Sequence, residues 1–223
     1  MRDGKPSESM NDEEDHNLKA GCPNPETAGM PVLHGLVLAG GRSTRMGRDK
    51  AALMHPDGRA LARRTIDLLS MVCGPIVVSL RQDQELPPQI EESPRLRIAR
   101  DPEGASEGPL AGMIASMRLF PEADWLVVAC DLPRLDGETL KHLVASLQSG
   151  EVFLSYRSES DGLPEPLCAF YAAEALPALQ QARADGIRCP RKVLIQNHCR
   201  LLDPVTPRAL DNANTPQDWQ AAN

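Results

Sequence analysis

The sequence predicts an α/β fold, a single Rossmann-like domain with a mostly parallel, twisted sheet and helices on both faces. Short apolar runs alternate with amphipathic segments of roughly a dozen residues, the pattern of βαβ units that close right-handed into parallel sheets. Hydrophobic residues make up 41% of the 223-residue chain but aromatics only 3%. The core is therefore expected from Leu, Val, Ile and Ala, which suits a sheet covered on both faces. Three Gly- or Asp-bearing loops, 39–50, 101–112 and 130–133, follow predicted strands. Such sheets bind ligands at the carboxyl ends of their strands, so one shared pocket is expected there.

Residues 1–31 are rich in Gly, Pro, Ser, Asn and charge, with almost no large apolar side chains. They cannot bury enough surface to offset the entropy of ordering, and a disordered acidic tail is expected, with the domain in 32–223. Val32, Leu33, Leu36, Val37 and Leu38 then form a short apolar run ending in Ala39-Gly40-Gly41, read as a buried strand meeting a glycine loop. Ala60 to Val72 carries Leu61, Thr65, Ile66, Leu68 and Leu69 on one face and stops at Cys73-Gly74-Pro75, which reads as a helix and its terminator. Ile76 to Leu80 is the next strand, and Arg97 to Arg100 a third. A Gly/Pro loop from Glu103 to Pro109 opens a helix over 110–119. Trp125 to Cys130 is the most strand-like segment. Helix 137–147, strand 152–156, a turn at Pro164-Glu165-Pro166, a short strand 168–171, helix 173–184 and the apolar stretch Val193 to Ile195 complete the body.

The net charge of -7 is uneven, because residues 1–30 hold seven acidic against three basic side chains. The remainder is close to balance and shows no basic stripe, which disfavours nucleic acid as a partner. Six cysteines stand at irregular spacing with no C-x-x-C pair; they read as reduced thiols serving as small buried hydrophobes, not as metal ligands. No apolar run approaches the roughly 20 residues of a membrane helix. A soluble, cytoplasmic protein with no membrane partner is expected.

The segment Leu38-Ala39-Gly40-Gly41-Arg42-Ser43-Thr44-Arg45-Met46-Gly47-Arg48-Asp49-Lys50 joins a turn without side chains to four cations. Glycines let backbone N–H groups approach oxygens and Arg and Lys supply charge, which together suit a polyphosphate. There is no Gly-Lys-Ser/Thr triplet and no G-x-G-x-x-G, so a different phosphate-handling fold is required. Asp101-Pro102 with Gly108-Pro109-Leu110-Ala111-Gly112-Met113 forms a second such loop, and Cys130-Asp131-Leu132-Pro133 delivers a carboxylate at the end of the strongest strand. Hard oxygen ligands suit Mg²⁺, which takes one or two protein carboxylates plus substrate phosphates. Thr215-Pro216-Gln217-Asp218 makes a helix N-terminus, with Thr215 as cap and Pro216 in the first position. That leaves the neighbouring Asn212 and Asn214 unexplained.

In these residues the chain resembles the molybdenum cofactor guanylyltransferases, whose signature of Leu-Ala-Gly-Gly, a Ser or similar, Arg-Met-Gly and Asp-Lys is matched by residues 38–50. The resemblance covers about residues 33–220 and implies a single nucleotidyltransferase domain. It further implies that Leu38, Ala39, Gly40 and Gly41 hold the nucleotide through their backbone. Arg45 would face the leaving β- and γ-phosphates, and Lys50 would neutralise charge near the α-phosphate. Asp101 would accept hydrogen bonds from the nucleoside, while the backbone from Leu110 to Gly112 would read the base. Asp131 would be the Mg²⁺ ligand, with Asp101 close enough to help. Asn212 and Asn214, the Pro166-Leu167-Cys168-Ala169 strand and the Arg191-Lys192 pair would line the acceptor side.

The implied reaction is attack by a phosphate oxygen of molybdenum-molybdopterin cofactor on the α-phosphorus of GTP. A phosphate nucleophile needs no side-chain base, and none of the five histidines lies in the loops. GTP and the molybdopterin cofactor are the implied partners, with molybdoenzyme apoproteins or delivery chaperones as candidate protein partners. Ser79-Leu80-Arg81 and the proline-rich Gly162 to Pro166 depart from the family pattern. Three alternatives stay open: a cytidylyltransferase of the same fold, a sugar-phosphate nucleotidyltransferase, and a non-catalytic GTP-binding module that delivers cofactor.

Overall fold

Alternating inward and outward side chains on the central strands divide the apolar residues between two faces of one sheet. A computed structural model describes residues 32–41, 49–101, 108–213 and 215–222. The predicted tail 1–31 lies outside them, as do Arg45 and Asn214. The strands are β1 His34–Leu38, β2 Ile76–Leu80, β3 Leu96–Arg100, β4 Trp125–Ala129, β5 Phe153–Arg157, β6 Pro164–Tyr171 and β7 Arg200–Leu202. They form a seven-stranded sheet in the order β3-β2-β1-β4-β6-β5-β7. Only β6 runs against the others, being antiparallel to both β4 and β5. The remaining pairs are parallel.

The helices are α1 Leu61–Leu69, α2 Pro109–Met117, α3 Gly137–Ala145, α4 Ala175–Ala184, α5 Pro190–Gln196 and α6 Pro216–Ala222. Val37 and Val128 meet Ala62, Ile66 and Leu69 of α1 and Leu140 and Leu143 of α3 on one face. Leu36 and Val127 meet Leu110, Met113 and Met117 of α2, Leu179 of α4 and Leu194 of α5 on the other. The expectation of helices on both faces therefore holds.

Local chemistry explains the helix starts. Asp136 caps α3 by accepting from Thr139 N at 2.8 Å, and Pro109 occupies the first turn of α2. Gly108 before it has φ +129°, a region that favours glycine. At α6, Asp218 N donates to Thr215 Oγ1 and Thr215 N to Asp218 Oδ2, at 3.1 and 2.8 Å, a reciprocal cap of the kind expected there.

Two segments differ from the sequence reading. Pro164-Glu165-Pro166 is the start of β6, not a turn. Its pairing with β4 reaches only Cys168, and the β5 ladder shifts register between Ser155 and Arg157. Proline is tolerated where a strand outruns its neighbour or bulges, since no ladder donor is required. The Ser155 hydroxyl donates to Glu165 O at 2.8 Å and takes over part of the ladder there. Val193 to Ile195 belongs to α5, and the strand that follows, β7, went unpredicted; at three residues it is too short to carry an alternation.

Candidate active site

The strand order reverses between β1 and β4: from β1 the chain builds outward to β2 and β3, then returns to place β4 on the other side of β1. In open α/β sheets the crevice at such a reversal, beyond the carboxyl ends of the strands, is where ligands bind. The loops after β1 and β4 flank it, and one contact spans it. Lys50 Nζ donates to Asp131 Oδ2 at 2.9 Å, between side chains that retain 13% and 21% of their exposure. The two loops are thus brought together as the sequence predicts.

Asp131 leaves the end of β4, and its other carboxylate oxygen, Oδ1, is buried with no hydrogen-bond partner among the described residues. A buried carboxylate oxygen left unpaired is costly unless a cation completes it. This donor fits Mg²⁺, which uses few protein carboxylates and no Cys or His. No cluster of three or more His, Cys, Asp or Glu side chains arranged for a metal occurs among the described residues. Lys50 opens a short 3-10 turn, Lys50–Ala52, capped by Asp49, whose side chain accepts from Ala51 N.

The glycine loop leaves β1 through Leu38, half-buried, and Ala39, buried. Ala39 N donates to Ser79 O at 3.0 Å. A Cβ at Gly40 would stand 3.3 Å from Arg81 N, tighter than a side chain accepts without a shift in the neighbour. The carbonyls of Gly40 and Gly41 both accept from Arg81 Nη1, at 3.1 and 2.6 Å. Their outward-facing carbonyls are thereby tied back to the β2 end. Arg81 was noticed in the sequence only as a departure from a pattern.

Asp101 leaves the end of β3 at the same level as Asp131. Leu38 pairs with Ser79 and Ala129, and Ser79 with Ala99. The two aspartates, each two residues beyond that row, are therefore three strand spacings apart, about 14 Å. β1 and β2 lie between the strands that carry the two aspartates, and a shared ion stays what the resemblance implies. Asp101 faces α2, where a Cβ on Gly112 would stand 3.2 Å from its Oδ1. Asp101 and Gly112 are accordingly neighbours, and Leu110, 2% exposed, turns its side chain into the core, leaving only its backbone for a ligand.

Burial raises the Asp101 carboxyl above its ordinary value, against the pull of Arg183, Arg81 and the Ser79 hydroxyl. Its Oδ1 also lacks a partner among the described residues. A raised carboxyl pKa means that the neutral form is the stabilising one: its contribution is complete below the unfolded value near 4 and is lost as pH rises through the folded value. Asp101→Asn is therefore expected to stabilise the ligand-free protein by about 1 kcal/mol at pH 7. The gap should close below about pH 4. Urea unfolding at both pH values checks this.

Next to the β4 loop lies a pocket of about 410 Å³ lined by Gly108, Pro109, Leu132, Pro166, Leu167, Cys168, Arg191 and Asn212, among others; Lys50, Asp101 and Asp131 are not in its lining. It collects most of what the sequence assigned to the acceptor side. Ala213 N donates to Asp131 O at 3.0 Å and so docks the Asn212 segment on the β4 loop. Arg191 is held by Asp161 at 2.8 Å and Glu165 at 3.2 Å, whereas Lys192 is exposed and outside the lining. No described histidine lines the pocket. Cys73, Cys130 and Cys168 are buried and free, as expected, but Cys189 is exposed. Burial pushes the Cys73 and Cys168 thiols up to about 12, which makes them poor nucleophiles.

Residues 35–201 match the model of the MobA-like NTP transferase domain. The chain belongs to this family. As a MobA-like NTP transferase it is a nucleotidyltransferase. It is 35% identical over 191 residues to a molybdenum cofactor biosynthesis bifunctional protein of Synechocystis sp., covering 86% of this chain and 54% of that one. The chain thus spans about half the length of that bifunctional relative. It is 34% identical to a probable molybdenum cofactor guanylyltransferase of Nostoc sp., covering 85% of this chain and 89% of the relative. Among solved structures, molybdopterin-guanine dinucleotide biosynthesis protein A from Archaeoglobus fulgidus superposes with a TM-score of 0.63 at 25% identity, over 85% of this chain and 96% of that one. No described helix is long and apolar enough to cross a membrane.

Proposed function

We propose that this MobA-like NTP transferase moves the guanylyl group of GTP onto the terminal phosphate of molybdenum-molybdopterin cofactor and releases pyrophosphate. The observation that carries the reading is the Lys50–Asp131 contact across the β1/β4 reversal, which sets a cation and a carboxylate together where a triphosphate fits. A phosphate oxygen of the acceptor attacks the α-phosphorus in line, the new P–O bond forms, and the bond to the β-phosphate bridging oxygen breaks. Lys50 neutralises charge growing on the α-phosphate. Arg45 keeps the role that the resemblance implies, facing the leaving β- and γ-phosphates. Asp101 and the backbone from Leu110 to Gly112 hold the guanosine end.

Asp131 is the proposed Mg²⁺ ligand through Oδ1, and an ion held there would supply charge neutralisation to the phosphates. The pocket next to the β4 loop, walled by Pro109, Leu132, Pro166 and Leu167 with Arg188, Arg191, Asn212 and Glu165 at its polar positions, suits a flat heterocycle carrying an anionic phosphate, its two arginines outnumbering the one carboxylate. Positioning and electrostatics then do the chemistry without a side-chain base.

Incubation with molybdopterin cofactor, Mg²⁺ and GTP, CTP, ATP or UTP in turn should release pyrophosphate with GTP alone. Release from CTP with GTP inert would replace guanylyl by cytidylyl transfer. Tight GTP binding without any pyrophosphate would favour the delivery module.

A further inference from the structure

We infer that Gln84 is a positioning residue of this site: its side-chain amide joins the two ends of the glycine loop and thereby fixes where Lys50 stands against Asp131. The inference rests on the nucleotidyl-transfer reading for its catalytic consequence, though not for its geometry.

Gln84 is a polar side chain buried to 4% exposure, and each of its polar atoms is used. Its Nε2 donates to Ala39 O at 2.9 Å and to Asp49 Oδ2 at 2.7 Å. Its Oε1 accepts from Arg81 N at 3.1 Å. The orientation of the amide is determined by these partners, because a flipped group would set its oxygen against two acceptors and its nitrogen against a donor. One nitrogen thus bridges residue 39, where the chain leaves β1, and residue 49, where it returns.

The far side of that bridge leads directly to the ammonium group. Asp49 accepts from Gln84 through Oδ2 and from Ala51 N through Oδ1, at 3.0 Å. It therefore sets the start of the turn on which Lys50 is the first residue. From there Lys50 reaches Asp131.

The near side is braced as well. Arg100 Nη1 donates to the carbonyls of Arg81, Gln82 and Gln84 at 2.9, 3.3 and 2.8 Å, holding the turn after β2 against the end of β3. Arg81 is itself on the Gly40 and Gly41 carbonyls. A neutral donor suits this place: it serves a carbonyl and a carboxylate at once, and a carboxylate at 84 would repel Asp49. Fixed ends hold the ammonium near the reacting phosphate.

The test compares Gln84→Leu, Lys50→Met and the double variant with GTP, Mg²⁺ and molybdopterin cofactor. Gln84→Leu should lower kcat by about ten- to hundredfold, the scale of a lost hydrogen bond to a charged partner, with a smaller change in KM for GTP. In the Lys50→Met background it should add little further loss, since it acts through that ammonium. Full activity of Gln84→Leu, or a loss that multiplies with that of Lys50→Met, overturns the inference.

Gln84→Glu provides the second variant should the leucine protein fail to fold. Its activity relative to wild type should climb as pH falls and the new carboxyl regains a donor proton; a flat ratio counts against the inference. Crystals of either variant supply a readout without turnover. They should show the contact between Lys50 and Asp131 displaced, and an unaltered contact overturns the inference even if wild type proves inert with every nucleotide. Wild type inert with all four nucleotides would instead defeat the guanylyl-transfer reading alone.

Discussion

Asp131→Asn is expected to lower kcat/KM for GTP by about a thousandfold or more, the several kcal/mol that a divalent ion contributes to phosphate charge stabilisation. Asparagine preserves the shape of the side chain and removes its charge. The backbone carbonyl of residue 131 still receives Ala213 N, so the Asn212 segment stays docked and the fold is retained. The loss should therefore appear in turnover and in the Mg²⁺ dependence of GTP affinity, not in the unfolding midpoint. Titration calorimetry with GTP, in Mg²⁺ and in EDTA, separates these: wild type should bind better with the ion, and the variant should show the same affinity in both. The carboxylate oxygen left over after Lys50 has taken Oδ2 is the physical reason. Full activity in Asp131→Asn would remove the metal assignment.

That Lys50 and Asp131 meet was legible in the sequence because each follows a strand whose apolar run is unmistakable. Leu36 and Val37 in β1, like Val127 and Val128 in β4, are all 0% exposed, and strands buried on both faces leave continuous apolar runs. Parallel strands then bring their following loops to one edge. The distance between Asp101 and Asp131 was not legible, because it depends on strand order. Nothing in the residues themselves says that β1 and β2 lie between β3 and β4.

The β6 prolines misled for a related reason. Whether a residue owes a ladder hydrogen bond depends on how far the neighbouring strand extends, and β4 pairs only as far as Cys168. Gln84 carried no signal at all. It sits in a polar stretch with no motif around it, and the two loop ends it joins are 45 and 35 positions away. Loop clamps of this kind become visible only when the ends they join are seen together. The pocket was legible in parts: Pro166, Leu167 and Asn212 do line it, while Lys192, adjacent to Arg191, is turned out of it by the helical phase of α5.

Lys50→Met is expected to reduce kcat by about a hundred- to thousandfold, the range seen when one preorganised electrostatic donor is removed from a transition-state site. KM should rise less, since other groups also hold the triphosphate in the ground state. Lys50→Arg should recover part of the loss through its charge, but only part. A guanidinium is wider and rigid, and it would meet Asp131 through a fork where the ammonium stands 2.9 Å from Oδ2.

The two residues should behave as a unit in a double-mutant cycle. With Lys50 gone, the Asp131 carboxylate, only 21% exposed, loses the cation that fixes its orientation. With Asp131 gone, the ammonium keeps its charge but loses the carboxylate that aims it. Each single change thereby forfeits much of what the partner contributes, so Lys50→Met with Asp131→Asn should cost far less than the product of the separate losses. Single-turnover rates of the four proteins measure this. Strictly multiplicative losses would mean that the cation and the carboxylate act on the nucleotide independently, and the contact across the β1/β4 reversal would then be a bystander to the chemistry.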